Sequence, residues 1–179
     1  MSQISDLVKD SKLPTRLDAG FTTHTFLESA LVTGWHGRRR EQEEVWKKKR
    51  DPSIGIFGTI WLEECVSEGK LRVVKKVRKL VPGSRSIDYH RELEIIAHFS
   101  QQKVPKYGGC FVRAPGWFES TEYMLITMAY FLLGDLQKYM PQLFREREAR
   151  QITFQLLESL DFIHENRFTH GDLKPMLQP

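Results

Sequence analysis

Cysteine is scarce in this chain. The two present among 179 residues, Cys65 and Cys110, lie far apart and without metal-ligand spacing. They form neither a disulfide framework nor a zinc motif, and they point to a reduced cytoplasmic or nuclear setting, with both thiols as small core residues. Long apolar runs are missing too. The first thirty residues hold no continuous apolar stretch, and nothing approaches the roughly 18 apolar residues of a membrane span. An intracellular protein without a membrane partner is the expectation. Strong charge of one sign is also absent: the formal net charge is +4, which is compatible with acidic ligands such as nucleotides but identifies none. Two basic runs, Arg38-Arg39-Arg40 and Lys47-Lys48-Lys49-Arg50, are interleaved with Glu41, Glu43 and Glu44. With no aromatic stacking series beside them they read as a solvated face, and a nucleic-acid partner is not expected.

What is present is a 40% hydrophobic composition, enough for a folded core, and a clear order of elements. Residues 1–44 mix charged, small and isolated apolar positions and read as a loosely structured leader. From Val45 the texture changes. Ser53-Ile54-Gly55-Ile56-Phe57-Gly58-Thr59-Ile60-Trp61-Leu62 combines turn residues with β-branched and aromatic ones and predicts strand, turn, strand. Residues 71–77, introduced by Glu68-Gly69-Lys70, predict a further strand, in which Lys75 and Lys76 point to opposite faces. After Pro82-Gly83-Ser84 the spacing predicts a helix over 87–99 with Tyr89, Leu93 and Ile96 on one face. Glu92 falls on that apolar side, and a carboxylate there requires a cation, for which Lys75 is the natural candidate. Residues 104–112 read as a loop entering a strand and 123–128 as another strand. Together these give five antiparallel strands and one helix. Residues 146–166 predict the clearest helix of the chain, with Ile152, Leu156, Leu157, Leu160 and Ile163 in an apolar stripe expected to be mostly core.

That helix delivers Thr169-His170-Gly171-Asp172-Leu173-Lys174-Pro175. A loop carboxylate two residues before a lysine suits phosphoryl transfer: Asp172 can accept the proton of an attacking hydroxyl, and Lys174 can neutralise charge on the moving group. Residues 170–175 resemble the H-R-D-L-K-P catalytic loop of eukaryotic serine/threonine protein kinases. The upstream order resembles the small lobe of that family over about residues 45–175. The resemblance implies an α+β, protein-kinase-like fold, with residues 45–128 as the small lobe and 129–179 as the hinge and the truncated start of the helical large lobe. It further implies Asp172 and Lys174 as catalytic residues and ATP as cosubstrate. The nucleotide would lie under Gly55, Phe57 and Gly58, against Ile60 and Val73, with its phosphates near the Lys75–Glu92 pair. Met128 takes the gatekeeper position, Ala129 to Phe131 form the hinge, and Asp135 either caps the next helix or reaches the ribose.

Three positions depart from the family pattern. Ser53 stands at the first glycine of the loop, and Gly171 replaces the arginine of H-R-D. Five residues after Asp172 the family places an asparagine that helps hold Mg2+, whereas this chain has Leu177. No D-F-G sequence follows within the 179 residues. The expected function is therefore that of a protein serine/threonine kinase family member whose 179 residues are inactive on their own. One alternative is a pseudokinase-type module that binds nucleotide or protein. Another is a small-molecule kinase, since H-G-D-L also opens the catalytic loop of aminoglycoside and choline kinase relatives. The protein substrate or partner has no signature here.

Overall fold

The computed structural model describes residues 5–28, 40–49, 53–55, 58–79, 89–100, 109–142 and 144–175. A short helix, α1 (Asp6–Asp10), precedes three strands, β1 (Thr15–Asp18), β2 (Phe21–Glu28) and β3 (Arg40–Lys48). The hairpin of β4 (Ser53–Gly55) and β5 (Gly58–Cys65) follows, then β6 (Leu71–Arg78), helix α2 (Tyr89–Ser100), β7 (Gly116–Glu119) and β8 (Tyr123–Ala129). Two 3-10 turns, Leu136–Lys138 and Met140–Gln142, lead to the 20-residue helix α3 (Glu146–Glu165). None of the described helices is long and apolar enough to cross a membrane.

All eight strands form one antiparallel sheet in the order β1-β2-β3-β5-β6-β8-β7, with β4 paired to β5 alone. Five strands were expected, so the leader reading is corrected: residues 5–28 and 40–44 carry a helix and three strands rather than loose chain. The fourth expected strand is also displaced. Of the expected segment, residues 104–108 lie outside the described residues, 109–111 are turn and bend, 112 is irregular, and the strand is Gly116–Glu119.

Register explains how the sheet sorts its side chains, because residues paired across antiparallel strands share a face. Ile60 pairs with Lys75 and Lys75 with Ile126, while Val73 pairs with Met128 and Val77 with Met124. These residues form the outer face, where Val77, Met124, Ile126 and Trp117 pack with Leu93 and Ala97 of α2 and with Val8 of α1. The opposite face carries Val74, Phe118 and Leu125 with Trp61 and Leu13. By the same pairings it also carries Arg72, Glu63, Trp46, Thr22, His24 and Thr15.

Residues 11–13 join the two edges of the sheet beside this face. Leu13 N donates to Trp117 O at 2.7 Å and Trp117 N to Ser11 O at 3.1 Å, so the chain runs along the free edge of β7 before it turns into β1. The two edge strands are thereby joined by one covalent segment, and the edge of β7 is covered. Close approach requires a glycine at 116: a Cβ there would lie 2.5 Å from Ser11 O and 2.7 Å from Leu13 Cγ.

At the other end, α3 meets α2 through its last turns only. Phe162 and Ile163 pack with Phe99, Ile95, Phe111 and Phe168. Of the rest of the apolar stripe expected to be core, Leu156 and Leu157 are exposed, Leu157 by 60%, while Ile152 and Leu160 are half-buried. The helix ends in a Schellman turn, with Phe168 N bonded to Ile163 O at 3.0 Å and Arg167 N to His164 O at 2.9 Å. Arg167, with φ of 61°, holds the left-handed position that normally takes glycine. Arg167→Gly is expected to stabilise the chain by about 1 kcal/mol, read as a Tm rise of about 2–4 °C in thermal unfolding.

Candidate active site

The outer face of β5, β6 and β8 and helix α2 build the candidate nucleotide site. Ile60, Val73 and Lys75 stand on this face by register, and Val73 lies across from Met128. Lys75 Nζ donates to Glu92 Oε1 and forms an ion pair with it, the two side chains being 17% and 25% exposed. Glu92 reaches Lys75 because Leu93 and Ala97 anchor the neighbouring face of α2 in the core. Lys76 goes to the other face, as alternation requires, and its ammonium lies 3.6 Å from the centre of the Tyr123 ring.

Gly55 and Gly58 face each other where β4 meets β5, so the expected glycine hairpin is formed. Phe57 lies outside the described residues. In the expected hinge, the Ala129 N–H already donates to Arg113 O at 2.8 Å, which leaves the Ala129 carbonyl and the Phe131 N–H as the groups a purine edge could meet. Asp135 caps the first 3-10 turn by accepting the Lys138 N–H at 3.3 Å.

The loop after α3 is held by its ends. Phe168 packs into the α2–α3 aromatic cluster, and Pro175 O accepts from Gln137 N at 3.1 Å. Gly171 has φ of 74°, a conformation that an arginine would adopt only with strain, which gives a local reason for glycine in this loop. Lys174 Nζ donates to Asp172 Oδ2 at 2.6 Å, so the two expected catalytic groups form an exposed pair. One further feature was not read in the sequence. A cavity of about 330 Å³ lies between α2 and α3, lined by Ile96, Phe99, Met128, Phe168 and His170. The buried Ser100 hydroxyl on its wall has no hydrogen-bond partner among the described residues. The cavity brings Met128, at the expected gatekeeper position, and His170, at the start of the expected catalytic loop, against the same space, through apolar contacts that leave no polar motif to find.

Among the described residues no group of three or more His, Cys, Asp or Glu side chains gathers as a cation site requires, and Asp172 is turned to Lys174. The residues described do not make a magnesium site, and Leu177 lies outside them.

The comparisons agree with this architecture. The protein kinase domain model matches residues 49–176. NUAK family SNF1-like kinase 2 of Homo sapiens is 30% identical over 112 residues, 60% of this chain and 17% of that relative. An Aurora kinase of Yarrowia lipolytica is 24% identical over 169 residues, 92% of this chain and 44% of its own length. Among solved structures, Rad53 1–466 in complex with AMP-PNP is similar with a TM-score of 0.56 and 28% identity over 73% of this chain and 33% of that one. The lysine–glutamate pair of β6 and α2, the glycine hairpin of β4 and β5, and the H-x-D loop after α3 stand in the order seen in protein kinase domains. The chain belongs to the protein kinase domain family, serine/threonine type. It spans less than half the length of these relatives.

Proposed function

We propose that residues 53–175 bind ATP and serve phosphoryl transfer to serine or threonine hydroxyls of a protein. The observation that carries this reading is the Lys75–Glu92 ion pair, set on the same sheet face as Ile60, Val73 and Met128. A purine would lie between Val73 and the Ala129–Phe131 segment, meeting the Ala129 carbonyl and the Phe131 N–H. Lys75, held by Glu92, would meet the phosphates. Asp172 would take up the proton of the attacking hydroxyl, and Lys174, now on Asp172, would turn to the transferred group. No step is assigned to magnesium, for which the described residues form no site.

The 179 residues alone are proposed to bind nucleotide without turning it over. The position five residues after Asp172 is Leu177, which offers no metal ligand, and catalysis in this family depends on positioning charge around the cation.

Thermal unfolding with ATP tests the reading. ATP at about a hundred times its dissociation constant is expected to stabilise the chain by about 2.7 kcal/mol, and Lys75→Ala to abolish most of that shift. An ATP-independent Tm would refute nucleotide binding. Turnover of Mg-ATP lost in Asp172→Asn would refute inactivity of the isolated 179 residues.

A further inference from the structure

The segment that closes the sheet lies outside the residues the family model matches, which begin at 49. It nevertheless packs on the helix that carries Glu92. Val8 is 0% exposed and shares one cluster with Leu93 and Ala97 of α2 and with Trp117, Met124 and Ile126 of the sheet. The backbones of α1 and α2 lie against each other. The segment is fastened independently of α2. Trp117 Nε1 donates to Val8 O at 2.8 Å, residues 11 and 13 bond the main chain of Trp117, and Lys12 pairs with Glu119. α2 therefore stands against a wedge whose other side is hydrogen-bonded to β7.

We infer that residues 5–13 are a built-in positioning element for the candidate site: α1, locked onto β7, holds α2 at the depth that keeps Glu92 on Lys75. Leu93 follows Glu92 directly, so a shift of α2 that fills space vacated at Val8 also moves the carboxylate. The ordering of the nucleotide lobe in this chain then depends on an element of its own outside the matched domain. Val8 acts through Leu93 and Glu92 and touches no reacting group. The importance of the pair for nucleotide rests on the function proposed above, but the positioning itself does not.

The test reads the pair without nucleotide. In the intact chain, acylation of Lys75 by a water-soluble amine reagent is followed by peptide-resolved mass spectrometry at a temperature where every variant remains folded. Two variants are used: Val8→Ala, which removes only methyl groups, and Gly116→Ala, whose Cβ would displace Ser11 and Leu13. Both are expected to raise the Lys75 rate on the order of tenfold, corresponding to release of the pair in a minor population made dominant. In a Glu92→Gln background the rate is already high, and neither substitution should raise it further. A purely structural role would lower Tm equally in both backgrounds and leave Lys75 labelling unchanged, and that result overturns the inference. So does an increase of the same size with and without Glu92. If labelling behaves as expected while ATP gives no thermal shift, the positioning stands and the nucleotide reading falls.

Discussion

Replacing Glu63 by alanine is expected to destabilise the chain by about 3–5 kcal/mol, a large part of the roughly 5–15 kcal/mol that holds a domain together. Glu63 is 2% exposed inside the closed sheet. Its Oε2 accepts two bonds from Arg72, from Nε at 2.9 Å and from Nη2 at 2.6 Å. Its Oε1 accepts from Trp61 Nε1 at 2.9 Å and from Thr22 Oγ1 at 3.2 Å. Without the carboxylate, a guanidinium buried against the Trp46 ring at 4.0 Å loses its counter-charge, and two neutral donors lose their acceptor. Burial already drives the Arg72 pKa below its ordinary value, and Glu63 works against that fall. The loss comes from stranding a charge, so a double substitution, Glu63→Leu with Arg72→Met, should recover most of it. Urea unfolding followed by tryptophan emission, to which the buried Trp46 and the partly buried Trp61 contribute, measures both. A penalty below about 1 kcal/mol for Glu63→Ala would show that water reaches the interior and that the sheet is not closed.

The same interior explains what the sequence showed and what it hid. The β4–β5 hairpin, β6, α2 and α3 were legible because each carries its own period: β-branched alternation around Val73 and Lys75, and apolar spacing at Leu93 and Ile96. The Lys75–Glu92 pairing followed from a carboxylate placed on an apolar helix face. The N-terminal strands were missed because hydropathy reads burial only where buried residues are apolar. Among the described side chains of β2 the buried positions are Thr22, Thr23 and His24, while Phe21 is exposed, so the pattern there runs opposite to the usual signal. α1 has five residues and one buried side chain, Val8, too little for a period to register. β7 was misplaced for a related reason: Gly116 opens it, and its glycine serves the approach of Ser11, a long-range demand that no local window contains. On α3 the error ran the other way, since a correct helical stripe was read as buried when only its last turns meet α2.

Between pH 6.5 and about 3 the chain is expected to lose up to about 5 kcal/mol of stability through His24 alone. The ring is fully buried, and its hydrogen bonds have one polarity. Arg72 Nη1, which can only donate, lies 2.7 Å from Nε2. Nε2 therefore carries the lone pair, Nδ1 carries the hydrogen and donates to Thr15 Oγ1 at 2.7 Å, and Thr15 passes its own proton to Leu13 O at 2.8 Å. Adding a proton to Nε2 would set two donors face to face beside a guanidinium. Desolvation first and the Arg72 charge second lower the pKa from 6.5 to about 3. The sign follows from proton counting. Between these two values the unfolded chain holds a proton that the folded chain refuses, so stability rises with pH. It is fully present above 6.5 and erodes as pH falls toward about 3, by about 1.36 kcal/mol for each pH unit in that gap. Glu119, whose pKa is lowered chiefly by its hydrogen bonds from Lys12 and Lys79, adds a smaller loss of the same sign below the ordinary carboxylate range. His24→Gln keeps an acceptor for Arg72 and a donor for Thr15 but does not titrate. Urea midpoints at pH 7, 6, 5 and 4 should fall steeply in the parent chain and markedly less in His24→Gln, with the other five histidines common to both. Parallel slopes would mean that His24 takes up its proton in the folded state. The chain from Glu63 through Arg72 to Thr15 would then not be the seal that holds residues 11–15 against the sheet.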